Sequence, residues 1–235
     1  MKNKKQDNEK LPQHIAIMID GNRRWAKKHG LSAYEGHRAG IKRVVSTIRY
    51  ALKREIKVLT LYGFSTENWK RTPDEVNHLM SIFIEFAQKY APEFKKQGIQ
   101  FRHLGSMDKL PVNLQKALKM AQKLTRNNKK MILNIALNYG GRDEVKRAVQ
   151  KIIRDKIPAE KINEQIILNH LDTKGLPDPD LVIRPSGVLR MSNFLPLQSV
   201  YSELYFPKIY WPDFDEHQFD LALKEYARRQ CRFGK

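Results

Sequence analysis

The chain has 235 residues, 41% of them hydrophobic, which is enough to bury a substantial core in one α/β domain. Its formal charge of +19 implies an anionic partner: nucleic acid, an anionic membrane surface or a phosphorylated small molecule. The single cysteine, Cys231, excludes an internal disulfide and a cysteine metal cluster, and no run approaches the roughly 18 apolar residues of a membrane span or the apolar segment of a signal peptide.

Residues 1–11 are rich in Lys, Asn, Asp and Glu and offer nothing to bury, so a mobile leader is expected before one domain over 12–235. A cytoplasmic location follows, with transient contact at an anionic membrane surface compatible with the charge. The apolar run 14–19 predicts a strand that breaks into Asp20-Gly21-Asn22-Arg23-Arg24-Trp25, with a helix over 24–28. Ile41, Val44, Val45, Ile48 and Leu52 recur at helical spacing and predict a helix over 38–53. A second strand, 58–62, runs into Phe64-Ser65-Thr66-Glu67-Asn68-Trp69-Lys70-Arg71. Thr72-Pro73-Asp74-Glu75 joins a cap, a first-turn proline and early acids, and starts a helix reaching residue 90. Its apolar stripe is wide, so it either packs on two sides or lines an apolar tunnel.

A strand over 99–104 and a helix over 112–127 follow. A strand over 131–137 then ends at Asn138-Tyr139-Gly140-Gly141-Arg142-Asp143. Helices are predicted over 143–153 and 159–171. The strand 181–183 opens into Arg184-Pro185-Ser186-Gly187-Val188-Leu189-Arg190-Met191-Ser192-Asn193, and a last strand near 203–206 precedes a helix over 216–229. Strands alternating with helices predict an α/β fold, a mostly parallel central sheet with helices on both faces.

Adjacent parallel strands end on one edge, where ligands bind. Four polar strand ends would gather there one carboxylate, several arginines and a set of amides and hydroxyls, suited to a phosphorylated substrate and a divalent cation. Gly21 lets the backbone approach an anion, and Arg24 has the fork to clamp phosphate oxygens. Asp20 would repel that anion unless Mg²⁺ lies between them; Mg²⁺ takes one or two carboxylates with phosphate and water. The plainer reading is an Asp capping a helix beside solvated arginines. Arg184, Arg190 and Ser192 place two guanidiniums and a hydroxyl in one loop, fit for a second diphosphate. There is no GxxxxGK loop or GxGxxG fingerprint, and the seven histidines lack metal-ligand spacing. His37 near the first anion site fits a helix cap and a catalytic role equally. Basic residues gather at strand ends beside an Asp instead of interleaving with aromatics, so no nucleic acid is expected.

The segments DGNRRWAKKHG, EGHRAG, LYGFSTENWKR, NYGGRDE, PDPDLVIR, RMSNFLPLQSVYSELYF and WPDFD, in that order from about residue 12 to the end, resemble the cis-prenyltransferases, the undecaprenyl diphosphate synthase family. The resemblance implies a homodimer with one parallel sheet per subunit and an apolar tunnel between sheet and helices. It also implies Mg²⁺ dependence and condensation of isopentenyl diphosphate with an allylic diphosphate (dimethylallyl, geranyl, farnesyl or longer). By resemblance Asp20 holds the metal, aided by Glu203. The allylic diphosphate rests on Gly21, Asn22, Arg23 and Arg24. Trp25, His37, Ser65, Thr66, Glu67, Asn68 and Trp69 line the reacting centre, with Arg71 nearby. Arg184, Arg190 and Ser192 bind isopentenyl diphosphate, and Arg228, Arg232 or Gly234 completes a neighbouring subunit's site. Asp20, His37 and Asn68 form the catalytic set. An amide is a poor base, so Asn68 positions while His37, a water or a diphosphate oxygen accepts the proton. Phe83 and Phe86 are expected to floor the tunnel and limit product length.

Several positions depart from the pattern. Arg23 stands where bacterial members usually have Gly, Ala33 where an allylic-diphosphate Arg is expected, and Pro185 and Val188 where the fourth loop has Thr and Glu. The changed loop and Ala33 are similar to lavandulyl-type members, which join two dimethylallyl units in an irregular, head-to-middle fashion. His37 and the STENW segment match the elongating enzymes. Chain elongation is therefore expected, with irregular condensation as the alternative.

Overall fold

The computed structural model describes residues 11–229; residues 1–10 of the expected leader 1–11, and Cys231, Arg232 and Gly234, lie outside the described residues. In chain order the elements are β1 (His14–Met18), α1 (Asn22–Lys28), α2 (Ala33–Lys53), β2 (Val58–Ser65), α3 (Pro73–Gln97), β3 (Ile99–Leu104) and α4 (Val112–Thr125). They continue with β4 (Met131–Tyr139), α5 (Gly141–Arg154), α6 (Glu164–His170), β5 (Leu181–Ile183), β6 (Glu203–Tyr205) and α7 (Glu216–Arg228). The strands form one sheet in the order β3-β4-β2-β1-β5-β6, and every pairing is parallel.

Strand periodicity divides the core. Ile15, Ile17, Leu59, Leu61, Leu181 and Ile183 face a large cluster shared with α2, α3, α4 and α7. Their neighbours Ala16, Met18, Tyr62, Ala136 and Val182 face the opposite side, under Phe194 and Leu195. There Glu144 of α5 accepts the Tyr139 hydroxyl at 2.6 Å. Both faces of the sheet are therefore covered.

Local chemistry moves three predicted boundaries. The second helix begins at Ala33, not residue 38, because Ser32 and Glu35 form a reciprocal cap (Ser32 N–H to Glu35 Oε2, 2.8 Å). The helix from Thr72 runs past Pro92 to Gln97 and stops at Gly98, whose φ is 79°. A proline inside a helix costs about 3 kcal/mol; burial of Ala91 and Phe94 on either side of Pro92 offsets it. The helix expected over 159–171 is broken, because Asn163 accepts the Ile166 N–H at 3.0 Å and starts α6 afresh. Among the described residues no helix is long and apolar enough to cross a membrane.

Candidate active site

The strand order makes β4, β2, β1 and β5 neighbours, so the four polar ends share one edge. The chain builds outward from β1 toward β3 and then returns to the other side of β1 with β5. Asp20 beyond β1 and Arg184 beyond β5 flank that reversal, where open parallel sheets form their crevice. A cavity of about 1250 Å³ opens there. Its polar end includes Asp20, Arg24, Asn68, Arg184, Arg190 and Ser192, and its apolar end Ile41, Val44, Phe64, Leu79, Ile82 and Phe83.

Asp20 is the electrostatic centre. Its Oδ2 accepts from Arg184 Nε (3.1 Å) and Nη2 (2.9 Å) and from Ser186 Oγ (2.9 Å), while Oδ1 accepts from Arg24 Nη2 (3.0 Å). Burial favours the neutral acid, yet the hydrogen bonds from Arg184 and Ser186, with the charges of Arg184 and Arg24, hold its pKa below the ordinary carboxylate value. Arg184 is 6% exposed. Its Nη1 donates to Ser192 Oγ (2.7 Å) and to the Arg190 carbonyl, so one guanidinium organises the fourth loop. Gly21 joins β1 to α1 at φ 105°; a Cβ there would lie 2.7 Å from Tyr210 Cδ1.

The end of β2 and the turn after it bring Ser65, Glu67, Asn68 and Arg71 to the cavity. Asn68 Oδ1 accepts the Ser65 N–H at 3.0 Å, so its carbonyl is already used. His37 lines the cavity, and burial lowers its pKa despite a hydrogen bond to Glu75, which leaves a neutral imidazole at pH 7.

Other expectations are corrected. Trp25 does not line the cavity: its Nε1 donates to Asp213 at 2.7 Å and its ring packs on His29. Trp69 donates to Asn138 Oδ1 at 2.7 Å and packs edge-on to Phe64, one layer behind the cavity, and Thr66 is also off the lining. Phe86 packs against Tyr90 and Phe94, away from the cavity that Phe83 reaches. Glu203 opens β6 in register with Leu181 and, through it, Ile15. Asp20 lies beyond the end of β1 at Met18, whereas Glu203 is level with Ile15 near its start, a separation of about 10 Å along the strand from Ile15 to Met18 alone at ~3.3 Å per residue. Within one subunit Glu203 therefore stands at the opposite edge, paired with Arg229 at 3.1 Å. Arg228 pairs with Glu225.

Sequence reasoning missed Glu75 and Asn193. Glu75 gathers Arg71 (3.1 Å), His37 (3.3 Å) and Arg23 (3.4 Å), although its place near the start of α3 marked it only as a helix-start acid. Asn193 bonds to two segments distant from it in the chain, Glu67 after β2 and Gly141-Arg142 at the start of α5.

The family model for undecaprenyl diphosphate synthases matches residues 17–234. A farnesyl-diphosphate-specific ditrans,polycis-undecaprenyl-diphosphate synthase of Legionella pneumophila is 46% identical over 97% of this chain and 98% of its own length. An isoprenyl transferase of Clostridium perfringens is 45% identical over 96% of this chain and 91% of its own. The solved lavandulyl diphosphate synthase of Lavandula x intermedia, complexed with dimethylallyl diphosphate, superposes with a TM-score of 0.92 at 36% identity, covering 96% of this chain and 99% of that one. The chain belongs to the undecaprenyl diphosphate synthase family and is a prenyltransferase.

Proposed function

We propose that the protein condenses isopentenyl diphosphate with an allylic diphosphate in a Mg²⁺-dependent, chain-elongating reaction. The observation that carries this reading is the ionised Asp20 held between Arg184 and Arg24 at the mouth of a cavity that is polar at one end and apolar at the other. The polar end suits two diphosphates and the apolar end a growing hydrocarbon.

Among the described residues no group of three or more His, Cys, Asp or Glu gathers at one point. One carboxylate fits Mg²⁺, which completes its shell with phosphate and water. Asp20 would hold it; when bound, the cation neutralises charge on the departing diphosphate. Arg23 and Arg24 hold the allylic diphosphate beside Gly21 and Asn22, and Arg184, Arg190 and Ser192 take the isopentenyl diphosphate. Ser192 Oγ accepts from Arg184, which leaves its own hydrogen free for a phosphate oxygen. Asn68 faces the centre as a donor, because its carbonyl is bound to Ser65 N–H. The proton released on alkene attack goes to neutral His37, a water or a diphosphate oxygen. Farnesyl diphosphate is the first acceptor to test, given the named specificity of the Legionella relative. Relatives named for elongation or general isoprenyl transfer reach 46% and 45% identity against 36% for the lavandulyl enzyme, which supports taking elongation as the reading to test first.

The test is incubation with labelled isopentenyl diphosphate and dimethylallyl, geranyl or farnesyl diphosphate, with Mg²⁺ or with excess chelator. Products longer than the acceptor, lost on chelation, support the reading. No product from any acceptor refutes it.

A further inference from the structure

We propose that Asn193 is a positioning residue that locks the fourth loop, the turn after β2 and the start of α5 into one rigid unit. The proposal rests on the function given above and extends it. Asn193 reaches two distant parts of the chain through three groups: its carbonyl accepts the Gly141 N–H at 2.8 Å, its Oδ1 accepts the Arg142 N–H at 3.0 Å, and its Nδ2 donates to Glu67 Oε1 at 2.9 Å. The α5 N-cap is Gly140, which has no side chain to cap with, so Asn193 satisfies two first-turn amides from outside the helix.

Its placement gives these bonds consequence. Next to it on one side, Ser192 is bound to Arg184; on the other, Phe194 and Leu195 are 0% exposed and anchor the chain to the sheet. The backbone at Asn193 has φ 66°, a left-handed conformation that Asn tolerates better than most residues. The carboxylate of Glu67 requires a donor and the Arg142 N–H requires an acceptor, so the amide has one useful orientation. Released from this joint, Arg190 and Ser192 would sample positions too open to receive the second diphosphate.

Asn193→Gly keeps the left-handed backbone and removes the amide. The KM for isopentenyl diphosphate should rise about tenfold, the scale of one hydrogen bond to a charged group, with the allylic KM and melting midpoint nearly unchanged. Hydrogen–deuterium exchange should quicken over residues 141–144 and 184–192. In a double-mutant cycle, Asn193→Asp sets a second carboxylate against that of Glu67, and added Glu67→Gln should recover part of the lost isopentenyl affinity. Equal rises in both KM values, additive effects in the cycle, or unchanged exchange would each overturn the proposal. A wild-type chain that joins no diphosphates would instead overturn the proposed function, and the exchange experiment would still decide the role of Asn193.

Discussion

Arg184 directs two donors, Nε at 3.1 Å and Nη2 at 2.9 Å, onto a single oxygen of Asp20. This contact ties β1 to β5 across the crevice and keeps a carboxylate ionised among groups that await anions. The pair therefore carries both structure and chemistry.

Asp20→Asn keeps the shape and removes the charge. Turnover with Mg²⁺ should fall about a hundredfold or more, the scale of losing one preorganised electrostatic contact. Arg184, 6% exposed, would lose its counter-charge, and stability should drop by about 1–3 kcal/mol. Arg184→Lys places one ammonium where three donors served Asp20, Ser192 and a carbonyl, and should raise the isopentenyl KM at least about tenfold. Steady-state kinetics and urea unfolding check these outcomes, and full activity of Asp20→Asn would sink the assignment.

Phe83 and Phe86 separate tunnel shape from core packing. Phe83 lines the cavity, so Phe83→Ala should lengthen the products seen by chromatography. Phe86 is buried against Tyr90 and Phe94. Its replacement by Ala should cost about 3–5 kcal/mol and leave product length alone. Identical product profiles for wild type and Phe83→Ala would remove Phe83 as a limit.

Acid should weaken the fold through His14. Its Nδ1 donates to the Pro177 carbonyl and its Nε2 accepts from Thr60, whose oxygen accepts from Asn134, so the buried chain needs a neutral ring. Burial lowers its pKa from 6.5 to about 4, against the Pro177 hydrogen bond and the charge of Asp180. The unfolded chain then binds a proton that the folded chain refuses, so the stabilisation is whole above pH 6.5 and lost as pH falls toward 4. The loss from this residue is about 3 kcal/mol at ~1.4 kcal/mol per pKa unit. His14→Gln should flatten the slope of unfolding free energy between those values, and an unchanged slope would count against the mechanism.

Gly36 sets how closely α1 approaches α2. A Cβ there would lie 2.4 Å from the Asn22 carbonyl oxygen, a backbone atom that moves only with its helix. Gly36→Ala should cost about 1–3 kcal/mol by overpacking. It should also raise the allylic KM, because α1 carries Arg23 and Arg24. A crystal structure of the variant with α1 undisplaced would contradict this.

The alternation of apolar runs with helical stripes was legible in the chain, and so were the four polar strand ends, because period and turn chemistry are local properties. Asp20, Arg184 and Ser192 could be marked as candidates for the same reason. Which strands adjoin is not local. The order β4-β2-β1-β5 arises from packing and brings Asp20 onto Arg184, and the register of β6 against β5 sets Glu203 level with the start of β1. Side-chain direction was equally hidden: Trp25 and Trp69 are aromatic residues suited to a reacting centre, yet each indole N–H found a partner, Asp213 or Asn138, that turned the ring aside. Glu75 and Asn193 acquired their partners only when segments far apart in the chain met, since a hydrogen bond is decided by a few tenths of an ångström and residue spacing does not encode that.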